Sequence, residues 1–140
     1  MEKTIRECFT LGDRDVRTTS ALSLAFLGDA VFELVIRTVL VERGGKPGEL
    51  SRKKGELVNA ASQARMAEYL LEHGLLTEEE EAVYRRGRNA SPRSVAKSSG
   101  VGDYHKATGL ECLMGHLYLT GQTKRLVELA SLALREETSA

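Results

Sequence analysis

Hydrophobic residues dominate the stretch from Ser20 to Arg43, and Asp29, Glu33 and Arg37 interrupt it at intervals of four. Four residues make about one helical turn, so these charges form a narrow stripe on an otherwise apolar helix. Leu22, Leu24, Phe26, Leu27, Val31, Phe32, Leu34, Val35 and Ile36 surround the stripe, which predicts a central helix covered on nearly every side. Ser20 suits an N-cap and Gly44-Gly45 a stop. Residues 46–74 read as one or two helices ending at Gly74, with Leu50, Leu57, Val58, Ala61, Met66, Tyr69 and Leu70 inward. Thr77 followed three residues later by Glu80 is a capping box for a helix through Arg86. A polar connection over 87–102, holding Pro92, leads to a helix from after Asp103 to Leu119, and Gly121 separates it from a last amphipathic helix over 123–137. No run alternates apolar and polar residues long enough to argue a strand. The expectation is an all-α helical bundle over residues 19–140, preceded by an arm, residues 1–18, read as a short helix or a mobile segment.

Composition narrows the class. A chain of 140 residues can bury a core without staples. Formal net charge is zero, so affinity for a polyanion must come from a local patch. Cys8 and Cys112 are too few and too far apart for a disulfide framework or a zinc site, which suits a reduced compartment. The N-terminus carries acids and lacks the apolar core of a secretory signal, and the expected location is cytoplasmic. Three charged side chains in residues 20–41 would each cost roughly 2.5–3.5 kcal/mol near a bilayer centre, so this span reads as a buried helix.

Two acids lack a local explanation. Glu33 precedes Arg37 by four residues, the favourable order for a helical ion pair. Asp29 has Ala25, Phe26, Phe32 and the like-charged Glu33 one turn away, and no cation on its own helix. Glu111 has Ala107, Thr108, Met114 and Gly115 around it. Gly109 and Gly115 each cost about 1 kcal/mol against alanine inside a helix, which implies a close approach on that face. Such carboxylates shift their pKa, find an arginine elsewhere, or bind a cation. If they converge, magnesium, which takes oxygen ligands and keeps several waters, is the natural partner. His73, His105 and His116 fall at helix ends or off the Glu111 face and read as structural or surface residues.

"LAFLGDAVFE" resembles the signature helix of the ribonuclease III family, with its Phe-Leu-Gly-Asp core. "GELSRKKGELVNAASQARMA" and "KATGLECLMGHLYL" are similar to the stretches that follow in the same order, so the resemblance spans about residues 20–135. With "RRGRNA" and no following double-stranded-RNA-binding domain, it is nearest the short branch called Mini-ribonuclease III. The resemblance implies a homodimeric, magnesium-dependent endoribonuclease that cuts double-stranded RNA, in that branch a stem of large-subunit ribosomal RNA precursor. It makes Asp29 and Glu111 the catalytic, metal-binding acids and Phe26 an aromatic knob at the dimer interface. Full-length ribonuclease III carries further acids where this chain has Leu22, Ala25 and Thr108, which leaves open the number of ions per site. The competing expectation is a catalytically silent, duplex-RNA-binding dimer acting in ribosome assembly.

Charge concentrates between Tyr84 and Lys106, where Arg85, Arg86, Arg88, Arg93, Lys97 and Lys106 oppose only Asp103. Guanidinium groups and backbone N–H donors in such a segment suit phosphates, and A-form duplexes are recognised mainly by shape, phosphates and 2′-hydroxyls. Asn89, Ser91 and Ser94 add hydrogen-bonding groups. The alternative is a solvated loop balancing the acids of Glu78 to Glu81.

Overall fold

The computed structural model describes residues 1–90 and 101–138. Among them are seven α-helices and a single 3₁₀ turn, with no strand: α1 Glu2–Cys8, the turn Val16–Thr18, α2 Ala21–Arg43, α3 Pro47–Leu57, α4 Ala60–Glu72, α5 Glu78–Ala90, α6 Val101–Leu119 and α7 Thr123–Thr138. No helix among the described residues is long and apolar enough to cross a membrane.

Local signals set most boundaries. The Ser20 hydroxyl accepts from the Ser23 N–H at 3.0 Å, capping α2. Gly44 ends it at φ 86°, a conformation that costs glycine little. Asn59 accepts from Ser62 N–H at 2.9 Å and separates α4 from α3. That register turns Ser62, Gln63, Ala64, Met66, Ala67 and Leu70 inward and leaves Ala61 exposed, contrary to the expected pattern. The capping box forms as expected: Thr77 N–H donates to Glu80 Oε1 at 2.9 Å, and Glu80 N–H to Thr77 Oγ1 at 3.1 Å.

Helix α6, and not α2, is the centre of the bundle. Helices α2, α4, α5 and α7 all pack on α6, and from Ala107 to Tyr118 every residue is buried except the partly exposed Glu111. Small residues explain the difference, because glycines on α6 let neighbouring backbones close in. Helix α2 is covered on one side only: Leu22, Phe26, Leu34 and Val41 stand exposed on the other, and nothing among the described residues lies over them.

Two boundaries differ from those the sequence suggests. Helix α5 runs past Gly87 to Ala90. Gly87 is buried against α6, where an added Cβ would lie 2.4 Å from the Cys112 Cβ, so this glycine permits contact and does not end the helix. Helix α6 starts at Val101, which puts Asp103 in its first turn, where an acid suits the dipole. At the N-terminus, Arg6 Nη2 donates to the Leu119 carbonyl at 2.8 Å, tying α1 to the end of α6.

Candidate active site

The α2–α6 crossing is as close as two helices can come. A Cβ on Gly28 would fall 1.7 Å from the backbone oxygen of Glu111, and one on Gly115 would fall 2.0 Å from the oxygen of Leu24. On the other side of α6, a Cβ on Gly109 would lie 2.7 Å from the Tyr84 ring. The glycine beside Asp29 therefore lets Asp29 meet Glu111 at the crossing.

The Glu111 carboxyl lies close enough to Asp29 for a hydrogen bond between the two groups. A carboxylate can only accept, so the bond requires a proton, and the more buried Glu111 is its holder. Burial, then the bond to Asp29, then the charge of Asp29 push the Glu111 carboxyl up to about 8. Among the described residues no basic side chain acts on Glu111, so it has the pKa shift of an acid without a cation partner. Glu33, one turn from Asp29, is spent elsewhere: Arg37 Nε donates to its Oε1 at 2.9 Å, and Lys54 Nζ lies 3.3 Å from the same oxygen.

The positions where longer relatives carry further acids do not contribute charge. Leu22 is exposed, Ala25 is buried, and the buried Thr108 turns its hydroxyl back to the Tyr104 carbonyl at 2.9 Å. Among the described residues no group of three or more His, Cys, Asp or Glu gathers into a metal cage. Two adjacent carboxyl groups still suit a hard divalent ion that keeps much of its water, since loss of the Glu111 proton leaves two negative charges side by side. Asp29 and Glu111 are the residues that would hold it.

The basic residues are placed as follows. Arg85 pairs with Glu81 at 3.2 Å, and Arg86 Nη2 donates to the Thr19 carbonyl at 2.6 Å. Arg88 and Asn89 are exposed at the end of α5, and Lys106 is paired with Glu68 of α4. Arg93 and Lys97, with Ser91 and Ser94, lie outside the described residues. Phe26 is 83% exposed, which removes the reading of a core phenylalanine. His116 is buried, and its pKa is lowered by that burial; it lies 3.7 Å from Glu79. His73 caps α4 with its ring 4.2 Å from that of Tyr69.

Sequence reasoning missed one residue near the acids. Gln63 of α4 lies beside Glu111, where its amide favours the charged carboxylate, yet its buried Nε2 completes no hydrogen bond. The signal was present, since 63, 66, 67 and 70 form one buried helical stripe and only Gln63 in it is polar.

The pattern of the ribonuclease III domain matches residues 22–122, a span that includes both acids and the glycines of the crossing. The chain is 44% identical to the Mini-ribonuclease 3 of Enterococcus faecalis, over 88% of this chain and 94% of that one. It is 42% identical to the Mini-ribonuclease 3 of Symbiobacterium thermophilum, over 83% and 88% respectively. A crystal structure of a Fusobacterium nucleatum protein superposes with a TM-score of 0.74 at 31% identity, covering 89% of this chain and 99% of that one. The chain belongs to the ribonuclease III family, in its Mini-ribonuclease III branch. Membership makes it an endoribonuclease by class.

Proposed function

We propose that the chain is a magnesium-dependent endoribonuclease that cleaves double-stranded RNA as a homodimer, with a stem of large-subunit ribosomal RNA precursor as its substrate. The observation that carries this reading is the meeting of Asp29 and Glu111 at the glycine-seated α2–α6 crossing. Two acids 82 positions apart in sequence, with no basic side chain between them among the described residues, are costly unless their role is to bind a cation.

When bound, a divalent ion supplies an activated water and neutralises charge on the scissile phosphate. Asp29 and Glu111 hold its position, and Glu111 must first release its proton. The close α2–α6 crossing keeps both carboxylates on rigid helices, so little rearrangement is needed as charge develops. In this reading Arg88 and Asn89, exposed at the end of α5, meet RNA. Arg85, Arg86 and Lys106 can join them only by leaving Glu81, Thr19 and Glu68. No histidine is required. The names of the relatives support ribonuclease activity in the same fold.

Purified protein is incubated with a long RNA duplex, with and without magnesium, beside Asp29→Asn and Glu111→Gln. Cleavage of both strands with short 3′ overhangs is expected only for the unaltered chain with magnesium. Either variant should lose on the order of a thousandfold in rate, equivalent to about 4 kcal/mol of transition-state stabilisation, while still binding duplex. An intact duplex bound at full strength by the unaltered chain would replace this reading with the silent RNA-binding dimer.

A further inference from the structure

The buried stripe of α4 consists of Gln63, Met66, Ala67 and Leu70, and only the first carries hydrogen-bonding atoms. Gln63 is 5% exposed, and its Nε2 has no partner. A buried N–H left unpaired costs about 1–3 kcal/mol, so leucine at this position would pack at lower cost. The polar group beside the amide is the Glu111 side chain, already engaged with Asp29. We propose that Gln63 is a positioning residue of the acid pair: its Nε2 donates to the Glu111 carboxylate in the cation-bound state and sets the direction in which that carboxylate presents its oxygens. The proposal rests on the reading of Asp29 and Glu111 as cation ligands.

The physical logic is that of outer-shell partners in metal sites. A carboxylate that binds an ion through one side keeps lone pairs on the other, and in a buried setting these need donors. Asp29 cannot serve, because in the cation-bound state it is itself a ligand. Thr108, one turn before Glu111, has turned its hydroxyl to Tyr104. Gln63 is left as a neutral donor, able to orient Glu111 without adding charge to the site.

The test measures Mn²⁺ affinity of the full chain by the electron paramagnetic resonance signal of the free ion, for the unaltered protein and for Gln63→Leu, Asp29→Asn and Glu111→Gln. Loss of such a partner typically weakens binding about 10- to 100-fold, and Gln63→Leu should fall in that range with its metal-free melting temperature unchanged or raised. If it fails to fold, Gln63→Met, also unbranched and without a donor, takes its place. In the unaltered chain, the Gln63 side-chain amide proton resonances should shift on saturation with Mg²⁺. Full affinity in a folded Gln63 variant, or amide resonances unmoved by Mg²⁺, would overturn the role of Gln63 alone, provided the two acid variants weaken binding. Mn²⁺ affinity insensitive to both acid variants would overturn the acid-pair reading, and the Gln63 proposal with it.

Discussion

Glu111 is where pH should act. Its folded pKa, at about 8, stands well above the ordinary carboxyl value of 4.5. A raised pKa means that the folded chain binds this proton more tightly than the unfolded one. The contribution to stability is thus complete below about 4.5 and is lost as pH rises through about 8. In EDTA, thermal melts of the unaltered protein should decline between pH 6 and 9. Asp29→Asn should flatten that decline, because it removes a negative neighbour of Glu111. Divalent binding runs the other way: the ion competes with the shared proton, so affinity should rise about tenfold per pH unit below 8 and level off above it. Titrations with Mn²⁺ between pH 6 and 9 check this, and an affinity flat with pH would contradict the shared proton.

At the scale of the helices, the glycines divide into two kinds that a substitution series can separate. Gly28 and Gly115 sit where α2 and α6 touch, with backbone atoms 1.7 and 2.0 Å from where a Cβ would be. Neither helix can shift without moving the acids, so Gly28→Ala should cost at least about 3 kcal/mol in urea unfolding and abolish cleavage. Gly55 of α3 has nothing within 4 Å, and Gly55→Ala should stabilise by about 0.5–1 kcal/mol with activity unchanged. The α5 cap makes a second test. Arg125 of α7 donates to both oxygens of the buried Glu80 at 2.8 Å and to the Leu75 carbonyl at 2.7 Å. Arg125→Leu would leave that carboxylate buried and unpaired, at a cost of about 3–5 kcal/mol, and adding Glu80→Gln should recover part of the loss.

The same elements show what the sequence could and could not convey. Ser20, Gly44 and the Thr77–Glu80 box act within a few residues, and each appears where its spacing places it. Gly87 resembles a helix breaker locally and is a contact point globally, since its meaning depends on Cys112, 25 residues away. The basic residues show the same limit: clustering was legible, whereas the carbonyl that occupies Arg86 and the carboxylate that occupies Lys106 belong to other elements. Residue reasoning found Asp29 and Glu111 each without a local partner, but only the family resemblance joined them.

At the scale of the whole molecule, the exposed apolar side of α2 is where the proposed homodimer can be tested. Leu22, Phe26, Leu34 and Val41 are 42%, 83%, 50% and 62% exposed. Spacings of four, eight and seven residues keep them on one side of the helix. Side chains of this size, lined up and uncovered, are the mark of an interface in a soluble chain. A two-fold axis through this face would lay each α2 against its copy, so one substitution would act twice in the dimer. Phe26 is the most exposed of the four. Placing a charge there would bury two like charges at the axis, at a cost of several kcal/mol, while costing the single chain little. Phe26→Glu should therefore sediment as a monomer of about 15.4 kDa with helical content unchanged. The unaltered protein should sediment at twice that mass. Asp29 stands on the border of this face, between the exposed residues and the α6 crossing, so in the proposed dimer each acid pair would open beside the axis. Two such centres related by a two-fold can reach the two strands of one duplex. The monomeric variant should then keep its Mn²⁺ affinity and lose coordinated cutting of both strands, giving nicked in place of fully cleaved RNA on native gels. A Phe26→Glu protein that remains dimeric would show that another surface joins the copies.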